Sequence, residues 1–159
     1  MTRWLSDSEQ QVWRDFLQVQ RLLERSTGQQ LAGSGLSNSD FAVLVVLSDV
    51  PEGRRRAFEL GRELEWEKSR LSHHLTRMQG RGLVLREDCG SDRRGAHIAI
   101  TSAGRSALEA AAPGHVEHVR GKVFDVLAPS QVDALGEICT LLLTSLGAAS
   151  GPEECGAPA

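Results

Sequence analysis

Arg56–Thr101 reads RAFELGRELEWEKSRLSHHLTRMQGRGLVLREDCGSDRRGAHIAIT, with almost no spare residues between one pattern and the next. Leu71, Leu75 and Met78 stand four and then three apart, the spacing of one apolar stripe on a helix over about Glu67–Gly80. At about 100° per residue, Ser69, Arg70, His73, Thr76 and Arg77 point the other way. Ala57–Leu64 predicts a shorter helix before it, with Phe58, Leu60 and Leu64 facing the core and Glu65-Trp66 as the turn. Gly80-Arg81-Gly82 ends the longer helix, glycine supplying a left-handed cap. Leu83–Arg86 then reads as a strand, Cys89–Gly95 as a charged turn, and Ala96–Ile100 as a return strand with Ile98 and Ile100 on one face. The expected fold is mainly α with a small antiparallel β-wing: a helix, a turn, a second helix and a two-stranded wing.

The outward face of the longer helix offers cationic groups and short hydrogen-bonders, the types that contact phosphates and base edges. Lys68, Ser69 and Ser72 near its start are candidates for DNA phosphates, and Arg70, His73 and Arg77 for base edges. His74 falls at the flank of the apolar stripe and reads as a packing residue. The wing tip carries Arg93 and Arg94, which suit the negative potential of a narrow minor groove. Arg94 is the candidate for insertion, Arg93 for the backbone, and Asp92 for bracing Arg94. The net charge of −3 conceals a division. Arg54–Arg94 carries 11 Lys/Arg against 7 Asp/Glu, while the rest of the chain is acidic. Polyanion binding depends on that local field rather than on the total.

Other functions fit less well. A chain of 159 residues can bury a core, and no apolar run approaches the ~20 residues of a membrane span. MTRWLSDSEQ has no apolar centre of a secretory signal, so a cytoplasmic protein is expected. Three widely spaced cysteines offer neither a disulfide framework nor a metal pair. No nucleophile elbow, phosphate loop or paired carboxylates appear, so no enzyme and no cofactor are expected. His115 and His118, with Glu117 nearby, do not make up a compact zinc set, and no metal is expected. Cys89 lies beside Arg86, Arg93 and Arg94, cations that favour thiolate, while Glu87 and Asp88 oppose them; a redox switch there is an alternative. Cys139 falls in an apolar stripe and reads as core.

Outward from the central stretch, Ser6-Asp7-Ser8-Glu9 is a capping-box pattern opening a helix to about Gly28. Its stripe is Val12, Trp13, Phe16, Leu17, Val19 and Leu23, which suits a helix–helix interface; Trp13 and Phe16 could also line a ligand pocket with Trp66. Leu31–Ser37 reads as a loop, and the next element, running to Asp49, as a buried helix whose valines would also fit a strand. Arg54–Arg56 is either a solvated run or a phosphate contact. After Thr101, a good cap, a helix is expected to break or bend at Pro113-Gly114. Another starts at Pro129 with Val132, Leu135, Ile138, Cys139, Leu142, Leu143 and Leu146 as its stripe, and Gly147 ends it. The expected division is a helical dimerisation region over residues 6–33 and 102–147, a DNA-binding domain over 37–101, and a disordered tail over 148–159. The apolar faces exceed what a small winged domain needs, which favours a two-fold homodimer over a monomer with an unusually helical core.

The chain resembles MarR-family transcriptional regulators, which are winged helix–turn–helix dimers. Asp92-Arg93-Arg94 with Ile100-Thr101 and Gly104 matches the family's wing signature, with Ile100 where leucine is usual. Ser69–Met78 with Gly82-Leu83-Val84 matches its recognition-helix pattern, although His73-His74 is a departure that bears on operator sequence. The likeness covers about Ser6–Leu146. It implies a homodimer on double-stranded DNA that represses from a palindromic operator and is released by a small-molecule effector or an oxidant. A winged-helix module that binds a partner protein is the remaining alternative.

Overall fold

The computed structural model describes residues 1–87 and 96–147. Among them the elements follow in the order α1 (Asp7–Ala32), α2 (Asn38–Ser48), β1 (Arg54–Arg56), α3 (Ala57–Glu63), α4 (Lys68–Gly80), β2 (Val84–Glu87), β3 (His97–Ile100), α5 (Ser102–Lys122), a 3₁₀ turn (Phe124–Val126) and α6 (Pro129–Ser145). The chain divides into two compact units, Met1–His118 and Val119 onward.

Two helices start where reciprocal caps place them. In α1 the Glu9 amide donates to the Ser6 hydroxyl and the Ser6 amide to the Glu9 carboxylate. Ser37 and Asp40 repeat the arrangement at α2. That start resolves the ambiguity of the valine-rich α2. Helix propensities separate such residues by at most ~0.7 kcal/mol, whereas burying one aliphatic side chain contributes about 1.5–3 kcal/mol. Val43, Leu44 and Leu47 are all fully buried. Helix α1 runs on through Leu31 to Ala32, past the expected end at Gly28, because Leu31 is buried in the core.

The core of the first unit joins Leu31, Leu44, Leu47, Leu60, Leu75, Met78 and Ile98. Leu71, Leu75 and Met78 are buried as their spacing predicts. Phe58 is not: it is 54% exposed, because residues two apart on a helix lie on nearly opposite sides and Leu60 takes the inward side. The wing also differs from expectation. It is a three-stranded antiparallel sheet in the order β1-β3-β2, and the arginine run supplies the third strand, pairing Arg55 with Ile98. Arg55 meets Glu63 at 2.6 Å, and Arg54 meets Glu52 and Glu87 at 2.8 and 3.6 Å.

Helix α5 continues through Pro113 as one helix, so of the expected break or bend the break does not occur. Contacts on both sides hold it as one helix within this unit. Leu108 and Ala111 are buried before the proline, and beyond it the His115 ring packs on Phe41 while His118 Nε2 lies 3.1 Å from Ser26 Oγ. In the second unit, α6 begins with Pro129 in its first turn and buries none of its residues. Ile138, Leu141, Leu142 and Leu143 are exposed, as is Cys139, which therefore is not core in the single chain. The apolar face of α1 is likewise open at Val12, Trp13, Phe16, Val19 and Leu22. Among the described residues no single helix is long and apolar enough to cross a membrane.

The junction of wing and α5 depends on Thr101 and Gly104. The Thr101 hydroxyl accepts from the Gly104 amide at 2.9 Å and donates to the Gly82 carbonyl at 2.6 Å. A Cβ on Gly104 would overlap the Leu83 carbonyl, itself held by the Thr101 amide at 3.1 Å. Gly104→Ala is therefore expected to cost roughly 1–3 kcal/mol, the range of an overpacked core site. Urea unfolding with unchanged stability would contradict this close approach.

Candidate nucleic-acid interface

Helix α4 is held by its buried side and presents the other. Lys68, Ser69, Arg70, Ser72, His73, Thr76 and Arg77 are all exposed on it. Glu67, at the N-cap, makes no side-chain cap bond. The first amides of α4 are thus not capped by that side chain, and such amides favour anions.

Three of the exposed groups have defined supports. The Arg70 guanidinium carbon sits 4.5 Å from the centroid of the Trp66 ring, a cation–π contact. Arg86, on β2, donates to the Ser72 carbonyl and hydroxyl, each at 3.3 Å, and so ties the wing to α4. Arg77 Nη2 lies 3.1 Å from His74 Nδ1.

Behind this face lies a charged centre that the sequence pattern did not reveal. Asp40 and His74 are only 3% and 7% exposed. His74 Nε2 approaches Asp40 Oδ1 to 3.1 Å, a close electrostatic contact that is not aligned as a hydrogen bond. Asp40 Oδ2 accepts from Arg81 at 2.8 Å and from the Ser37 amide at 2.9 Å. Arg81 also donates to the Gly35 carbonyl. The His74 ring meets Trp66 edge-on, with centroids 5.4 Å apart and planes at 90°.

Burial raises the Asp40 pKa, but the Ser37 amide and Arg81 outweigh it and hold the carboxyl below its ordinary 3.8. Burial is the largest influence on His74 and lowers it below 6.5; Arg77 and Arg70 lower it further, against Asp40, which raises it. Neutral His74 therefore carries its proton on Nε2, facing Asp40, and accepts from Arg77 through Nδ1.

The remaining candidates fall elsewhere. Asp92, Arg93, Arg94 and Cys89, and the tail with Cys155, lie outside the described residues. Trp66 lines a cleft of about 700 Å³ with Phe58, Lys68, Leu71, Ser72 and Arg86. Trp13 and Phe16 do not line it; they stack on one another along α1, with centroids 6.0 Å apart. A second cleft, of about 870 Å³, lies between α1 and α2 and is lined by Arg21, Arg25, Asn38, Asp40 and Arg81. Sequence reasoning missed Asp40, Arg81 and Arg86 as supports. An aspartate in an otherwise apolar helix was the available signal.

A helix–turn–helix whose second helix exposes a cationic face beside a small antiparallel wing defines a winged-helix protein. Residues 34–95 match a model described as the MarR family. AbsC, a MarR family transcriptional regulator from Streptomyces coelicolor, is 40% identical, with a TM-score of 0.86 over 91% of this chain and 98% of that one. Sco3205, a MarR family transcriptional regulator from the same organism solved in complex with DNA, is also 40% identical at a TM-score of 0.86, over 99% and 97%. The HTH-type transcriptional repressor YetL of Bacillus subtilis (strain 168) is 31% identical over 88 residues, a match spanning 55% of this chain and about half (53%) of that protein. The chain belongs to the MarR family of transcriptional regulators.

The buried pair sets a pH dependence. Because the folded pKa of His74 lies below 6.5, the unfolded chain takes up this proton more readily. The stability contributed by neutral His74 is present above pH 6.5 and is lost as pH falls through the lowered value. His115, also lowered by burial, acts in the same direction. Urea unfolding should show stability falling from pH 7.5 to 5.0, with a shallower fall in His74→Gln; an undiminished fall in the variant would contradict this assignment.

Proposed function

We propose that the protein is a sequence-specific, cytoplasmic DNA-binding repressor acting as a homodimer on a palindromic operator, and that a small molecule releases it. Neither catalysis nor a cofactor is part of this reading. The observation that carries it is the exposed face of α4, where Arg70, His73 and Arg77 stand together beside Lys68, Ser69 and Ser72. A relative at 40% identity is solved in complex with DNA, and another match is named a transcriptional repressor.

In this reading Lys68, Ser69 and Ser72 fix the start of α4 on phosphates, while Arg70, His73 and Arg77 reach base edges in the major groove. Arg94 enters the adjacent minor groove with Asp92 bracing it, and Arg93 meets the backbone. A protein-docking role for the same face is disfavoured by its composition, since protein interfaces are depleted of charge at their centres. The exposed apolar faces of α1 and α6 supply the dimer contacts, and two-fold pairing sets two α4 helices on half-sites about one turn apart. An effector acts by binding one spacing of the two winged parts better than the other.

Arg77→Ala and Arg94→Ala should each weaken operator binding by about 1–3 kcal/mol, and Lys68→Ala should reduce the salt dependence by roughly one counterion. Unchanged affinity for all three at moderate salt would overturn the interface. Ile138→Glu with Leu142→Glu should shift the protein to monomers in light scattering and abolish operator binding; a dimer in that variant would contradict the role given to α6.

A further inference from the structure

We propose that His74 is a positioning residue for DNA reading, holding Arg77 through Nδ1 and Arg70 through the Trp66 indole, and that it lets Arg77 go when it takes up a proton. The proposal rests on the reading of Arg70 and Arg77 as base contacts. Its ground is the placement of one buried imidazole behind two exposed arginines. His74 Nδ1 lies 3.1 Å from Arg77 Nη2. The ring meets Trp66 edge-on, and the same indole also carries the Arg70 guanidinium, 4.5 Å from its centroid.

The charges facing His74 decide how the device works. From α2, Asp40 faces Nε2 at 3.1 Å and fixes the proton there, while Arg81 and the Ser37 amide occupy its other oxygen. From α4 itself, Arg77 and Arg70 both disfavour a charged ring. In the neutral ring Nδ1 has a lone pair for Arg77. In the protonated ring both nitrogens are donors, so the guanidinium loses its acceptor and faces a like charge. Arg77 is exposed and free to leave, whereas buried His74 stays against Asp40. A preset arginine loses less side-chain entropy on binding than a mobile one, so release reduces discrimination between operator and other DNA. His73 stands exposed on the same face and is itself a base-edge candidate, so His73→Gln is carried through the test as a control.

The test uses the full chain and a duplex that it enriches from a randomised library, against a scrambled duplex of the same composition. The ratio of the two affinities should fall between pH 7.5 and 5.5 in the wild type. It should stay high and flat in His74→Gln, which keeps an acceptor that does not titrate, and low and flat in His74→Leu. Melting curves at both pH values check folding, and Arg77→Ala, a surface change, gives the same information if the His74 variants do not fold: a low, flat ratio. Trp66→Leu should lose roughly two- to fivefold in discrimination, the worth of an exposed cation–π contact, and Trp66→Phe should recover part of it. A wild-type fall that persists in His74→Gln or Arg77→Ala overturns the positioning role. If Arg70→Ala and Arg77→Ala keep full discrimination, or no duplex is enriched, the reading of α4 fails and takes this proposal with it.

Discussion

A carboxylate with almost no access to water organises the winged part of this protein. Asp40 caps α2, accepts from Arg81 at the end of α4 and faces His74 in its middle. A buried charge of this kind costs several kcal/mol unless it is paired, and removing one partner leaves that cost uncompensated. The pairing therefore fixes where α4 lies against α2, and with it which face α4 turns outward. Apolar burial of Leu71, Leu75 and Met78 holds α4 in the core; the polar contacts at Asp40 add a direction that non-directional packing does not supply.

The outer face inherits that direction. Arg77 rests on His74, Arg70 on Trp66, and Ser72 on Arg86 from the wing. These are modest contacts singly, yet each restricts a long side chain before DNA arrives, where ordering it later would cost affinity. The arginines of β1 are used differently. Arg54 and Arg55 face carboxylates, so the densest run of positive charge in the chain supports the sheet. Elsewhere the exposed stripes of α1 and α6 leave apolar surface beyond what the single chain covers, and a second copy of the chain is the covering proposed above.

Local signals in the sequence were reliable where one interaction settled the structure. The capping pair Ser6/Glu9, the Thr101 cap and the stripe on α4 all form as their spacing implies. Two of the departures share one cause, which is that the deciding contact is distant in sequence. Arg54–Arg56 has no apolar alternation, and it becomes a strand because β3 offers an edge more than forty residues later. Pro113 would end an isolated helix, but Phe41 and Ser26 hold the helix beyond it. Phe58 was placed inward on a spacing that geometry excludes. The candidate site divides the same way: exposure on α4 was legible from periodicity, whereas Asp40, Arg81 and the support given by Trp66 were not.

In the proposed complex α4 reads the major groove twice in each operator, once from each copy of the chain. Methylation interference at guanine N7, on a duplex enriched by the protein, tests it most directly. Interference should fall in two segments related by a two-fold axis and separated by about one helical turn. Binding that is indifferent to methylation, or interference confined to one segment, would contradict it.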